Sequence, residues 1–309
     1  MKIFLTGGSG MVGSNILEHS ESKKHSFIVP TSKELNLLNR NAVKERLTRE
    51  MPDLIIHSGG LVGGIQANIE NPVDFLVKNI DMGLNVISSA AAVGIKKLIN
   101  LGSSCMYPRE ASNPLNENMI LQGELEPTNE GYALAKIVTA RLCEYLVRED
   151  SMLNYKTIIP CNLYGRYDKF EETNSHLIPA IIKKIHEAKV AGSQTVTIWG
   201  DGSVRREFMN AADLADLIYF VMDQIERIPQ NLNVGLGHDY SIAEYYSSVA
   251  SVVGFEGSFE YDLKKPVGMR QKLVDTSQLE KLGWNCKIKL IDGISQTYEF
   301  YKESLKNGL

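Results

Sequence analysis

Tyr132 and Lys136 stand four residues apart in a stretch with helical patterning, so both side chains project from one helix face. A phenol is a poor proton donor or acceptor near neutrality unless a cation stabilises its phenolate. An ammonium one turn away can do that. With 13 tyrosines in the chain, a Tyr-xxx-Lys spacing arises about once by chance at average lysine usage. The weight of the pair therefore comes from Ser103, which follows the apolar run 97–101, where open α/β sheets place their ligands. A hydroxyl there can hydrogen-bond a substrate carbonyl while Tyr132 delivers the proton. Upstream, Gly7, Gly10 and Gly13 lie between the apolar run 3–5 and a helical pattern that opens with Met11 and Val12. Glycines so placed allow a tight turn and bring backbone N–H groups to a pyrophosphate at a helix N-terminus. Their GxxGxxG spacing is one residue longer than the commonest dinucleotide fingerprint, and a plain glycine-rich strand–helix turn is the alternative. In chain order come this turn, Gly102-Ser103-Ser104-Cys105, Tyr132-Ala-Leu-Ala-Lys136 and Asn174-Ser175-His176. Together they indicate a nicotinamide enzyme with acid/base groups assembled beside its cofactor.

The elements that must position these residues follow from the patterning. Short apolar runs at 2–6, 26–29, 53–57, 97–101 and 156–160 alternate with helical stretches at 11–20, 41–50, 74–93 and 132–148. Strands separated by single helices need crossover connections, which gives an α/β fold with a doubly wound parallel sheet of Rossmann type. Beyond Gly165 the pattern loosens, with a helix at 179–188 and strands at 195–199, 233–237 and 258–261. The expected organisation is a dinucleotide domain of 1–165 plus about 209–239. A smaller, interleaved C-terminal lobe of about 166–208 plus 240–309 would take the substrate. A chain of 309 residues with 43% hydrophobic and 23% charged residues is an ordinary globular composition. Its formal net charge of −4 gives no electrostatic footprint for nucleic acid or acidic lipid, so an anionic ligand must be held by a few placed groups. The start passes from Met1-Lys2-Ile3-Phe4-Leu5 into glycines without a signal peptide, and no apolar run nears the ~20 residues that span a bilayer. Cys105, Cys143, Cys161 and Cys286 show no metal spacing, and no metal is expected. Their scatter suits a reducing cytoplasm.

The end of the second strand reads the adenosine ribose in such folds. Here it is Pro30-Thr31-Ser32-Lys33-Glu34, with hydroxyls and a lysine ahead of the acid. A carboxylate would bind the 2′-hydroxyl and repel a 2′-phosphate, so this order favours NADP(H), with Thr31, Ser32 and Lys33 as candidates. A solvated loop lysine is the plainer reading of Lys33.

The glycine turn, Ser103 and Tyr132-xxx-Lys136 resemble the extended short-chain dehydrogenase/reductase superfamily. Longer strings narrow the likeness to the GDP-L-fucose synthase family: Leu101-Gly102-Ser103-Ser104-Cys105-Met106-Tyr107-Pro108, the run 121–130, Asn162-Leu163-Tyr164-Gly165, the run 174–180 and Arg206-Glu207-Phe208. The similarity covers essentially the whole chain. It implies epimerisation at C3 and C5 of a GDP-linked 4-keto sugar, then reduction of the C4 ketone with NADPH. By resemblance Cys105 is the base and His176 the acid for the inversions. Taken alone, Cys105 would be a small buried hydrophobe and His176 a helix-capping or surface histidine. Leu101, Gly102, Asn162, Leu163 and His176 fall where the family meets the cofactor, along with Tyr132 and Lys136. Ser103, Ser104, Cys105, Asn162, Lys184, Trp199 and Arg206 fall where it meets the nucleotide-sugar. Arg206 would pair with a phosphate. Lys184 keeps the charge of the family's usual arginine without its fork. Trp199 could equally be a buried tryptophan ending a strand, and Asn79 either the polar residue beneath the active site or a helix-face amide. The resemblance also implies a homodimer that pairs the Tyr132 helix with the helix at 74–93.

Three positions depart from the family. Lys265-Pro266-Val267-Gly268 has valine where an aspartate usually touches substrate, and Ser9 and Ser32 replace arginines that some relatives use for the 2′-phosphate. The first change admits a different GDP-sugar, such as a heptose, with C4 reduction only and a separate epimerase. A nucleotide-sugar 4-epimerase would not need Cys105 and His176. A dehydratase needs a carboxylate pair where this chain has Ser104-Cys105. A non-catalytic dinucleotide sensor would not need Ser103, Tyr132 and Lys136.

Overall fold

The apolar runs become strands in a computed structural model that describes residues 1–171, 175–264 and 269–306. Asn174 and the Lys265-Pro266-Val267-Gly268 segment lie outside these residues. The chain opens with β1 (Lys2–Thr6), α1 (Met11–Glu18), β2 (Ser26–Ile28), α2 (Arg40–Glu50) and β3 (Leu54–His57). Next come α3 (Ile65–Glu70), α4 (Pro72–Ala92), β4 (Lys97–Leu101), α5 (Glu130–Glu149), β5 (Asn154–Pro160) and β6 (Asn162–Tyr164). Then follow α6 (Leu177–Val190), β7 (Thr195–Trp199), β8 (Arg205–Arg206), β9 (Phe208–Asn210), α7 (Ala211–Met222) and β10 (Asn231–Val234). The last elements are β11 (Tyr240–Ser241), α8 (Ile242–Val253), β12 (Ser258–Asp262), β13 (Gln271–Lys272), α9 (Ser277–Leu282) and α10 (Leu290–Lys306).

Six strands form one parallel sheet in the order β10-β5-β4-β3-β1-β2. Their near-continuous apolar character is what a sheet covered on both faces requires. Phe4, Ile55, Leu98 and Tyr155 point to one face, where Val43 and Leu47 of α2 and Val86 and Ile87 of α4 pack on them. Their neighbours Ile3, Leu5, Ile56 and Ile99 point to the other, against Ile16 of α1 and Leu214, Leu217 and Ile218 of α7. The alternation is the period-two geometry of a strand. Because β1 is flanked by β2 on one side and β3 on the other, the winding reverses there. A crevice opens at such a point beyond the strand ends, and ligands of open α/β sheets bind in it.

A separate apolar cluster lies in the second half of the chain. Ile178, Ile181, Ile182 and Ile185 form one stripe of α6 at helical spacing and meet Val196 and Ile198 of β7, Val249 of α8 and Ile294 of α10. Three small sheets accompany it: β11-β8-β13, β12-β7 and β6-β9.

Two of the differences between the structure and the patterning have a clear physical cause. The late strand is Asn231–Val234 rather than 233–237, because the Leu236 and Gly237 N–H groups turn away to donate to the buried Glu207 carboxylate at 2.6 and 3.0 Å. Helix α7 has no counterpart in the periodicity reading. Its N-cap, Asn210, accepts from Ala212 N at 2.9 Å, and nine of its residues are buried, so a two-sided apolar helix hides its period.

Candidate active site

The glycine turn sits at the crevice. Gly7 has φ +71°, and a β-carbon there would lie 2.7 Å from the Gly59 backbone nitrogen beyond β3. A β-carbon on Gly13 would lie 2.3 Å from the Gly7 carbonyl oxygen, so α1 can pack onto the turn only with glycine in that place. Gly10 caps α1 with no side-chain bond, and no acidic residue lies in the first turn. The helix end therefore offers free N–H groups and positive potential to an anion. These features fit the pyrophosphate of a dinucleotide. Gly7→Ala is expected to cost about 1–3 kcal/mol of stability, from the left-handed backbone and the backbone clash together. Urea unfolding measures it, and an unchanged midpoint would mean that the turn relaxes freely.

Beyond β4 the acid/base groups gather. Lys136 reaches from α5 to donate its Nζ hydrogen to the Leu101 carbonyl at 2.7 Å, and its ammonium lies 5.7 Å from the Tyr132 ring centre. Burial pulls the Lys136 pKa down to about 8, with the Cys105 charge acting in the opposite sense. Burial pushes the Tyr132 phenol well above its usual range, and Cys105 adds to this while a hydrogen bond with Ser103 opposes it. Ser103, extended at the end of the strand, accepts from the Cys105 backbone N–H at 3.2 Å and opens a 3₁₀ turn, Ser104–Met106. Cys105 is half-buried and receives two further hydrogen bonds on Sγ: Asn129 Nδ2 at 3.2 Å and Lys272 Nζ at 3.4 Å. Burial alone raises its pKa; the Lys272 charge and the hydrogen bonds from Ser103, Lys272 and Asn129 outweigh that and bring it below the ordinary thiol value. The structure thus brings Leu101, Gly102, Ser103, Ser104, Cys105, Tyr132 and Lys136 together where the end of β4 meets α5.

Asn129 and Lys272 are the site members that the sequence reading misses. Asn129 lies in the quoted 121–130 string, three residues before Tyr132. Lys272 is 167 residues from Cys105, on a two-residue strand with no pattern of its own.

The remaining candidates fall around this group. His176 occupies the N-cap of α6, yet its ring makes no cap hydrogen bond; burial, then the Lys169 charge, hold its pKa below the ordinary histidine value. Asn162 donates to the Glu207 carbonyl at 2.9 Å, and Leu163 follows it on β6. Arg206 is largely shielded, its pKa lowered by burial, and it donates to the Arg205 carbonyl at 2.8 Å. Lys184 Nζ donates to the Thr197 carbonyl at 2.5 Å, bracing β7 against α6. Trp199 ends β7 but is 58% exposed, so the buried-tryptophan reading is overturned. Asn79 is buried and fully used, accepting from Leu61 N at 2.8 Å and donating to the Leu61 and Phe75 carbonyls, so it fixes the loop after β3. Ser32 and Lys33 are exposed beyond β2, whereas the Thr31 hydroxyl is engaged by Glu34 at 2.9 Å. His57, buried at the end of β3 with Nδ1 2.9 Å from Thr6 Oγ1, is pulled to about 3 by burial and then by Lys136, and so is neutral.

A glycine-lined crevice at a parallel sheet, with a hydroxyl, a phenol and an ammonium at its edge, defines an oxidoreductase working beside a dinucleotide. Residues 3–237 match the NAD dependent epimerase/dehydratase family. The GDP-L-colitose synthase of Yersinia pseudotuberculosis is 56% identical over 307 residues, 99% of this chain and 100% of that protein. The GDP-L-fucose synthase of Azorhizobium caulinodans is 50% identical over 97% of this chain and 96% of its own. A GDP-6-OMe-4-keto-L-xylo-heptose reductase from C. jejuni superposes with a TM-score of 0.91 at 31% identity, covering 98% of both chains. A GDP-mannoheptose C4 reductase from Campylobacter jejuni, solved with NADP bound, gives 0.88 at 32%, covering 97% of this chain and 98% of that one. The chain belongs to the NAD dependent epimerase/dehydratase family and, within it, to the GDP-L-fucose synthase type.

Proposed function

We propose that this chain is an NADPH-dependent C4 reductase of a GDP-4-keto sugar that also inverts C3 and C5. The observation that carries the reading is the convergence of Ser103, Tyr132, Lys136 and a hydrogen-bonded Cys105 at the end of β4. Gly7, Gly10, Met11, Val12 and Gly13 would hold the pyrophosphate, Ser32 and Lys33 the 2′-phosphate, and Lys136 the nicotinamide ribose. Leu101, Gly102, Asn162 and Leu163 would border the nicotinamide, which supplies the hydride when bound.

The inversions come first. The Cys105 thiolate takes a proton from the carbon beside the ketone, and Ser103 and Tyr132 stabilise the developing enolate oxygen. His176 returns a proton from the other face of the sugar. Its lowered pKa makes the protonated ring the stronger acid. For the reduction, Tyr132 gives its phenolic proton to the C4 oxygen as hydride reaches the carbon, and the Lys136 ammonium offsets the phenolate. Arg206 and Lys184 would take the diphosphate and Trp199 would stack on the base. The separate apolar cluster of α6, α8 and α10 supports the division into a dinucleotide domain and a substrate lobe of about 166–208 plus 240–309.

Val73 and Val77 on α4 are 69% and 46% exposed, and Val138 and Tyr145 on α5 are 37% and 51% exposed. Each pair lies along one face of its helix. These apolar faces support a homodimer joined through α4 and α5. Among the described residues no helix is long and apolar enough to cross a membrane. The four free cysteines support a cytoplasmic enzyme.

The test is consumption of NADPH with GDP-4-keto sugars, including those leading to L-fucose and L-colitose; no consumption with any of them would end the reductase reading. A second reading, C4 reduction of a GDP-heptose without inversion, is supported by the two heptose reductases that superpose so well. Lys136 also sets a pH limit. Its ammonium is lost as pH rises through about 8. kcat/KM should then fall about tenfold per pH unit above that point. A profile flat into the ordinary lysine range would separate Lys136 from the rate.

A further inference from the structure

Three distant segments meet at Cys105. The cysteine lies in the turn after β4, Asn129 lies just ahead of α5, and Lys272 lies in β13. Two N–H donors converge on one sulfur, and one of them is charged. A thiolate welcomes both, whereas the sulfur of a neutral thiol is only a weak acceptor. Among the described residues Lys272 forms no ion pair with a carboxylate, so its charge faces the sulfur uncancelled.

The small β11-β8-β13 sheet explains how the lysine arrives there. β13 runs parallel to β8 with Lys272 opposite Arg206 in register, so the two cations issue from the same face of the sheet. If Arg206 takes the diphosphate, the next cation along that face stands over the sugar and reaches Cys105.

We propose that Lys272 is a positioning residue for the base: it holds Cys105 as a thiolate, and Asn129 fixes the direction of the sulfur toward the sugar carbons. The use of that base rests on the epimerase reading above; the ion pair does not. Tyr132 and Lys136 of α5 also couple electrostatically to Cys105, so the charged and titrating groups that face the sulfur are Lys272 from β13 and these two. The Asn129 Oδ1 atom is buried and lacks a hydrogen-bond partner, which leaves it to accept a hydroxyl of the sugar.

The rate of Cys105 alkylation by iodoacetamide, followed across pH by peptide mass spectrometry on the whole enzyme, reports the thiolate fraction. The wild-type midpoint should lie below the ordinary thiol value of about 8.5. Lys272→Met should raise it by a unit or more and slow labelling at neutral pH about tenfold, since each unit is a factor of ten in thiolate. Lys272→Arg should keep the midpoint low. NADPH titration checks that each variant retains its fold, and the wild-type midpoint needs no variant at all. A wild-type midpoint at or above the ordinary value, or an unchanged profile in folded Lys272→Met, overturns the proposal. If labelling shifts as expected while no proton exchange occurs at C3 or C5, the ion pair stands and the epimerase reading falls.

Discussion

Tyr132→Phe is expected to lower kcat for ketone reduction by about 10²–10⁴-fold, the usual contribution of a positioned proton donor. Substrate KM should move little, because the ring is kept and only the hydroxyl is lost. Burial of the phenol and the nearby Cys105 charge keep it protonated at working pH, which is the state a donor needs. Phenylalanine should preserve the edge contact with Phe75, whose ring centre lies 6.5 Å away, so the helix should stay in place. Ser103 can still hydrogen-bond the ketone, but an aliphatic hydroxyl is a far weaker acid than a phenol and so a poor replacement donor. Stopped-flow or steady-state consumption of NADPH measures the effect. A variant that turns over at the wild-type rate would remove Tyr132 from the role of donor.

Cys105→Ser should separate the two halves of the reaction. A serine hydroxyl ionises far above a thiol, so Lys272 cannot bring it near neutrality, and proton abstraction should slow by at least about 10²-fold. The hydroxyl is also smaller than the thiol and can accept the same hydrogen bonds from Asn129 and Lys272. The site should therefore keep its shape. The experiment incubates the GDP-4-keto sugar with enzyme in deuterated water without NADPH and follows washout of the C3 and C5 protons by NMR. Wild-type enzyme exchanges both; the variant exchanges neither, yet it still consumes NADPH and yields the uninverted alcohol. Undiminished exchange in Cys105→Ser would place the base elsewhere.

The parts of this enzyme that show in its sequence are those fixed by local rules. β1 and β4 begin and end where the apolar runs do, because strands buried inside a parallel sheet have few polar residues to blur their ends. The glycine turn is legible because two of its positions tolerate nothing but glycine. Tyr132 and Lys136 are legible because four residues make a helical turn. Lys272 is not, since its place beside Cys105 comes from a two-residue strand pairing with another two-residue strand, an arrangement that only the folded chain creates. Asn129 is intermediate: it sits inside a recognisable string, but nothing in the string says that its amide points at a sulfur. The exposure of Trp199 is likewise a tertiary outcome, since the apolar face of β7 is used by Val196 and Ile198 while the tryptophan is left outside.

The most direct measurement is NMR of the product formed from a GDP-4-keto-6-deoxy sugar with unlabelled NADPH in deuterated water. Deuterium at C3 and C5, ordinary hydrogen at the new C4 carbinol and inverted configuration at C3 and C5 are the expected result. An alcohol with hydrogen retained at C3 and C5 would contradict the epimerase half and leave a C4 reductase. Recovery of the unreduced ketone, with NADPH untouched, would contradict the whole.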